Sequence, residues 1–187
     1  MKWIALSTLS ILSILSIGLI FFFDLALAAD IQPESSLTDP EILNVIVNIN
    51  NFEIRAGLVA RQKAKDSDVR AFAEEMLDTH SQGNIDLGRL EKQIKLRPDS
   101  TPLSDRYKKD ALEKVKNLKK SESDDFDLDY VNLEVIAHKS ALKMIDDQLI
   151  PHAKKPQLLT HIKQIKDKLK RQLDDVTKLQ SSIKLHQ

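Results

Sequence analysis

Apolar residues recur at steps of three and four along the chain after residue 38, which is the period of a helix with one buried face. On a helix, apolar residues at this spacing form a stripe along one face. Four such stripes predict four long helices, over about residues 40–65, 67–95, 123–151 and from 156 onward. A short amphipathic helix is predicted over about residues 105–119, after a proline-containing loop at residues 97–102. Short links join the first two and the last two long helices, which favours an all-α fold, an antiparallel four-helix bundle with a short extra helix between the two helical pairs.

Helix-start signals support these boundaries. Thr38 can cap the first helix, because proline and an acidic residue follow in its first turn. Ser67 is predicted to cap the second helix and residues 123–125 the fourth, while Pro156 is expected at the start of the last helix. Pro151 should disrupt the end of the fourth helix. The bundle domain is therefore predicted over residues 39–185.

One polar residue interrupts each of the four long stripes near its middle: Glu53, His80, His138 and Gln172. The midpoints of helices in an up-and-down bundle stack at similar height, so these four side chains are expected to form one polar layer in the core. Tyr130 lies eight residues before His138, about two turns away on the same side, and can join that layer.

Two interpretations of the layer are open. A carboxylate and two imidazoles are plausible ligands, so Glu53, His80 and His138 can hold a single Fe, Mn or Zn ion. Gln172 is a poor ligand for these metals but a good hydrogen-bond partner. Alternatively, Glu53, His80, Tyr130, His138 and Gln172 form a satisfied core polar network that fixes helix register.

A complete di-metal centre is not expected. Such centres in helical bundles use a Glu-x-x-His pair on each of two helices. Here Leu77 stands three positions before His80, and Val135 stands three positions before His138. Glu134 is four positions before His138 and lies on roughly the same helix face.

The first 28 residues resemble a secretory signal peptide. Lys2 precedes an apolar run, and residues 26–28 (ALA) form a small-residue cleavage site, so cleavage is expected after Ala28. Residues 29–38 form a polar lead-in. An uncleaved membrane anchor is the alternative, because the run approaches the ~20 residues needed to span a bilayer. Either way the domain is predicted to be exported, to the periplasm or in association with the outer membrane.

Composition limits the classes of partner and activity. Lys+Arg and Asp+Glu both total 28, so the net charge is zero and a nucleic-acid partner is not expected. The first half of the last helix is basic, which is compatible with a partner in the cell envelope or at a membrane surface. No nucleophile elbow, phosphate loop or zinc-protease motif is present, which favours a protein that is not an enzyme. His152, His161 and His186 fall outside the stripes and are predicted to be surface residues.

Three segments together resemble a bacterial secreted family, the domain of unknown function numbered 4142, whose members often carry outer-membrane labels. They are residues 69–81 (VRAFAEEMLDTHS), Phe126-Asp127 with Tyr130 and His138, and residues 149–158 (LIPHAKKPQL). Glu53 falls where family members carry a first-helix glutamate. The resemblance covers about residues 39–180 and implies a ferritin-like bundle, an architecture that does not carry ferritin chemistry with it.

The chain departs from that family pattern at two positions. Thr79 stands before His80 where members usually have aspartate, and Gln172 stands where members usually have histidine. Both differences remove a group that could bind or orient a metal. The function expected first is therefore a non-enzymatic exported cell-envelope protein, related to stress survival or surface interactions. The alternative is a metal-binding or redox protein with a degenerate site at Glu53, His80 and His138.

Overall fold

The computed structural model describes residues 36–122 and 126–185, and within these ranges every regular element is helical. The helices are α1 (Asp39–Lys63), α2 (Ser67–Ile94), α3 (Pro102–Lys120), α4 (Phe126–Met144) and α5 (Pro156–Leu185). The all-α prediction is thus confirmed. The predicted signal peptide, most of the polar lead-in, the residue 123–125 cap and His186 lie outside the described residues. Among the described helices, none is long and apolar enough to cross a membrane.

Two predicted helix starts are corrected. Asp66, not Ser67, caps α2, because its carboxylate accepts hydrogen bonds from the backbone N–H groups of Asp68 and Val69. Helix α3 begins at Pro102, three residues before the predicted start, because Thr101 and Ser104 form a reciprocal capping pair in front of it. At α1, Thr38 is the N-cap residue as predicted, and its backbone N–H donates to the Glu41 carboxylate at 2.7 Å.

Helix α4 does not stop abruptly at Pro151. It continues through a π-helical turn (Ile145–Leu149) into a last turn (Ile150–His152). A proline inside a helix has no N–H to donate and crowds the carbonyl four residues earlier. The wider turn directly before Pro151, in which Ile150 N–H donates to the Ile145 carbonyl, accommodates this proline within one turn of the helix end.

The polar residues divide the apolar core into two clusters. Helix α1 packs mainly on α2, and α4 packs mainly on α5, while α1 also contacts α3 and α4, and α2 contacts α5. One cluster contains residues such as Ala56, Met76, Val135 and Val176, and the other contains Ile49, Leu87, Ala141 and Leu169. Along each long helix, the polar residue of the stripe stands between members of the two clusters.

Two aspartates tie each helix pair to the link of the other pair. Asp39, the first residue of α1, accepts hydrogen bonds from the backbone N–H groups of Lys154 and Lys155 at 2.8 and 3.0 Å, between α4 and α5. Asp127, in the first turn of α4, accepts from Lys65 and Asp66 at 3.0 and 2.7 Å, between α1 and α2. These reciprocal bonds fix the axial position of one pair against the other.

Candidate metal centre

Three of the predicted side chains converge in the core. Glu53 from α1, His80 from α2 and His138 from α4 each offer one ligand atom, and these atoms all lie within 4.8 Å of one another. The three residues are 1%, 3% and 0% exposed. The two imidazole rings stand nearly perpendicular, with centroids 6.5 Å apart. The stripes therefore identified residues that meet at one depth.

A chain of asparagine side chains fixes the protonation of His80. Asn84 donates to Asn51 at 3.2 Å, Asn50 donates to Asn84 at 2.9 Å, and Asn50 Oδ1 lies 3.0 Å from His80 Nδ1. Because an amide oxygen only accepts, His80 must donate from Nδ1 to make this bond. Its Nε2 then carries the lone pair and faces away from the asparagines.

His138 is held in the same tautomer by its own helix. Its Nδ1 lies 2.9 Å from the backbone carbonyl oxygen of Glu134, one turn earlier in α4. A carbonyl also only accepts, so Nδ1 carries the hydrogen and Nε2 carries the lone pair. Metal-binding histidines usually show this arrangement, in which one ring nitrogen donates to a fixed acceptor and the other coordinates.

The atoms that face one another have no hydrogen-bond partners. Among the described residues, no partner reaches Glu53 Oε2, His80 Nε2 or His138 Nε2, although all three are buried. Buried polar atoms are paired in the great majority of cases. Each unpaired group costs about 1–3 kcal/mol, so their concentration in one place calls for a physical reason.

Glu134 lies beside this group, and the sequence placed it on the same helix face as His138 but not among the predicted ligands. Its side chain is 0% exposed, and its carboxylate interacts with the side chains of Glu53 and Tyr130. Its Oε2 lies 3.6 Å from His138 Nδ1. The signal in the sequence was the i, i+4 spacing of Glu134 and His138.

Burial shifts the protonation of these groups in opposite directions. It raises the pKa of Glu53 well above the usual range, and the charge of neighbouring Glu134 raises it further. Burial also raises the pKa of Glu134, while a hydrogen bond with Glu53, the His138 imidazole and a hydrogen bond with Tyr130 act in the opposite direction. For His80, burial and the nearby His138 and Lys168 lower the pKa to about 3. His80 is therefore neutral at physiological pH, as a metal ligand must be.

The other two residues of the predicted layer lie beside this group. Tyr130 is completely buried, and burial, together with the charges of Glu134 and Glu53, raises the pKa of its hydroxyl. Gln172 lines a cleft that also contains His80. The Tyr130 hydroxyl interacts with the Glu134 carboxylate, whereas both polar atoms of the Gln172 amide lack hydrogen-bond partners within the described part of the chain.

His161 is not the exposed surface residue that the sequence predicted. It is half-buried, its Nε2 is enclosed and has no hydrogen-bond partner within the described ranges, and it lines the same cleft as His80. It precedes the buried Ile162 by one residue, which places it about 100° around α5 from the apolar stripe. The side of α5 that carries His161 faces α2, and the apolar spacing of α5 alone does not show this.

The comparisons with known proteins identify the family of the chain. Neither the curated proteins nor the solved structures include a significant match. The family described as "Domain of unknown function (DUF4142)" matches residues 24–179, most of the chain. The match spans all three segments on which the resemblance rested and every member of the buried group. The chain therefore belongs to the DUF4142 family.

Proposed function

We propose that this protein binds a single divalent transition-metal ion in its core, through Glu53, His80 and His138, with Glu134 as a second carboxylate. The observation that carries this proposal is the set of unpartnered buried atoms on Glu53, His80 and His138, three residues whose ligand atoms lie within 4.8 Å of one another. One cation between them would satisfy all of these atoms at once. A purely structural polar network would be expected to pair the two imidazole Nε2 atoms as well, and these have no partner among the described residues.

The charge of the group supports a dication. Two ionised carboxylates and two neutral imidazoles carry a net charge of −2, so a divalent ion would make the buried site neutral. Without a cation, the raised pKa of Glu53 indicates that the layer avoids this charge by holding a proton. An isolated charge is expensive in the core, whereas a neutralised metal centre is not.

The ligand types support zinc, iron or manganese. Imidazole and carboxylate together suit these ions, whose bonds to nitrogen and oxygen are about 2.0–2.2 Å long. Atoms on opposite sides of one ion are then at most about 4.4 Å apart. The present spread, within 4.8 Å, needs only small side-chain shifts to close around one ion. The group has two carboxylates instead of the four of a di-metal centre, which supports one ion rather than two.

We also propose that the fold is a ferritin-like antiparallel four-helix bundle with α3 added outside. The short links at residues 64–66 and 153–155, the packing of α1 on α2 and of α4 on α5, and the contacts between the pairs support this arrangement. The location of the domain is proposed to be the cell envelope, on the basis of the signal-peptide pattern in residues 1–28. A role in stress survival or at the cell surface is proposed together with the metal centre.

The test is metal content and metal-dependent stability of the mature protein. We expect near-stoichiometric metal after purification without chelator, and a rise in Tm when zinc or manganese is added to the metal-free form. At a free metal concentration of 100 Kd, the free energy of unfolding should increase by about 2.7 kcal/mol. The Glu53→Gln/His80→Gln double variant should lose both effects.

A matched control tests whether the loss of metal is specific to the site residues or follows from changing any buried polar residue. Asn48 is buried on α1 but faces Asn44 and the backbone of Ser104, outside the group. Asn48→Ala should lower stability without changing metal content. Wild-type protein that stays metal-free, and shows no change in Tm with zinc, iron or manganese, would instead support a structural polar core in a non-enzymatic envelope protein.

A further inference from the structure

A cleft of about 200 Å³ between α2 and α5 leads to the buried group. His80 forms part of its wall, and the other residues that matter here are Asn50, His161, Lys168 and Gln172. A wider groove, of about 560 Å³, adjoins it and shares Asp86, His161 and Gln164 with it. The volume of the cleft equals about six or seven water molecules at the density of the liquid. It is therefore large enough for a ligand of a few atoms.

A metal in the core would leave one buried group of this cleft unsatisfied. Gln172 is 3% exposed, and neither its Oε1 nor its Nε2 has a partner among the described residues. Amide side chains are poor ligands for the metals that carboxylate and imidazole favour. The Gln172 amide, one of whose ends is a hydrogen-bond donor, therefore needs a different partner in the cleft.

The cleft also contains a cation. Lys168 is half-buried and precedes Gln172 by one helical turn. It lines the cleft together with His80 and His161. Asp86 lies in the wall shared with the wider groove, so the end of the cleft next to His80 and Gln172 is the positive end.

We infer that this cleft binds a small metal-coordinating monoanion, with one end on the metal and the other held by the Gln172 amide and the Lys168 ammonium. The inference rests on the proposed metal site. The three ligands Glu53, His80 and His138 leave a coordination position open on such an ion, as three protein ligands do in catalytic zinc sites, while Glu134 supplies the second negative charge beside it. An anion in that position accepts a hydrogen bond from the Gln172 amide and pairs with the ammonium group of the half-buried Lys168.

Azide is the probe, and Co²⁺ is the metal, because bound cobalt reports its coordination through its visible spectrum. Titration of the cobalt-loaded mature protein with sodium azide should give a saturable spectral change. Gln172→Leu and Lys168→Met should each weaken azide binding at least tenfold while cobalt binding changes less than twofold. Lys170→Met is the control, because Lys170 is an exposed lysine of the same helix outside the cleft, and it should leave azide binding unchanged.

The outcomes distinguish failure of the anion proposal from failure of the metal proposal. Cobalt that binds stoichiometrically but does not respond to azide would overturn the anion site and leave the metal site intact. Equal azide affinity in wild type, Gln172→Leu and Lys168→Met would do the same, because the anion would then bind without the cleft. Absence of cobalt binding would overturn both proposals. Lys168 is only half-buried, so Lys168→Met is expected to fold even if Gln172→Leu does not.

Discussion

Asn50 Oδ1 and His80 Nδ1 lie 3.0 Å apart, and this one contact determines which nitrogen of His80 is free to coordinate. The donor end of the same amide is held by Asn84, so the amide cannot rotate without losing both bonds. The imidazole is thus oriented before any metal arrives. Groups that orient a metal ligand in this way typically change metal affinity 10–100-fold when they are removed.

Asn50→Ala should therefore weaken metal binding by roughly 10–100-fold, although Asn50 is not a ligand. Competition of the variant with a metal-binding dye measures the change. Asn48→Ala, two residues earlier on the same helix and similarly buried, should leave the affinity close to that of wild type. Equal losses in the two variants would show that the asparagine bond does not orient His80 for metal binding.

Glu134→Gln should reduce metal affinity at least tenfold, because it removes one of the two carboxylates that neutralise the ion. The metal-free variant should be as stable as wild type or more stable, since a buried ionisable group with a raised pKa has been replaced by a neutral amide. Calorimetric titration with zinc and urea unfolding in chelator measure the two effects. Glu75→Gln, on the exposed face of α2, provides the control and should change neither quantity.

Metal binding should release protons and should weaken as the pH falls. The folded, metal-free protein raises the pKa of Glu53 and of Glu134, so protons compete with the metal at these oxygens over a pH range above that of an ordinary glutamate. Calorimetric titration at pH 6 in two buffers with different ionisation enthalpies measures the protons released. The same binding enthalpy in both buffers would contradict proton release.

His80 should make the metal-free protein sensitive to acid. Its pKa is about 3 in the folded state against an ordinary value of 6.5, so the unfolded chain binds the extra proton first. The contribution of His80 to the free energy of unfolding is complete above pH 6.5. It is lost as the pH falls toward 3, by up to about 1.36 kcal/mol per pH unit. The raised pKa of Glu53 acts with the opposite sign, because its contribution is complete below pH 4.5 and is lost as the pH rises through the folded-state value.

Comparison with His80→Gln isolates the histidine contribution. This variant should lose less stability than wild type between pH 6.5 and pH 4, as measured by urea unfolding in chelator. His152→Gln, at the end of α4 and outside the group, should retain the wild-type pH dependence. Parallel curves for wild type and His80→Gln would contradict the lowered pKa.

Two glycines should respond in opposite directions to the same substitution. A Cβ on Gly57 of α1 would lie 2.9 Å from the backbone oxygen of Ala73 and 3.2 Å from Leu77 Cγ on α2, so Gly57→Ala must push the helices apart. We expect a loss of about 1–3 kcal/mol in the free energy of unfolding. Gly88→Ala meets nothing within 4 Å and should gain about 0.5–1 kcal/mol from helix propensity. Thermal unfolding of the two variants, followed by circular dichroism, tests this difference.

The hydrophobic period predicted the helices and three of the four ionisable residues that meet in the core, because burial in a helix repeats along the chain. Glu134 was harder to identify, since both it and the adjacent Val135 are buried and the period does not choose between neighbours. Asn50 and His161 lie on the flanks of their stripes, where only contacts between helices decide what they touch. Their roles depend on packing between helices that the sequence period does not encode.

The reciprocal aspartate bonds have a consequence for how the chain reaches its native state. Asp39 completes the link between α4 and α5, and Asp127 completes the link between α1 and α2. Neither half of the protein therefore contains all the groups that its own link requires. The two halves are expected to unfold together in one transition, and a fragment ending near residue 96 should not hold a stable structure by itself.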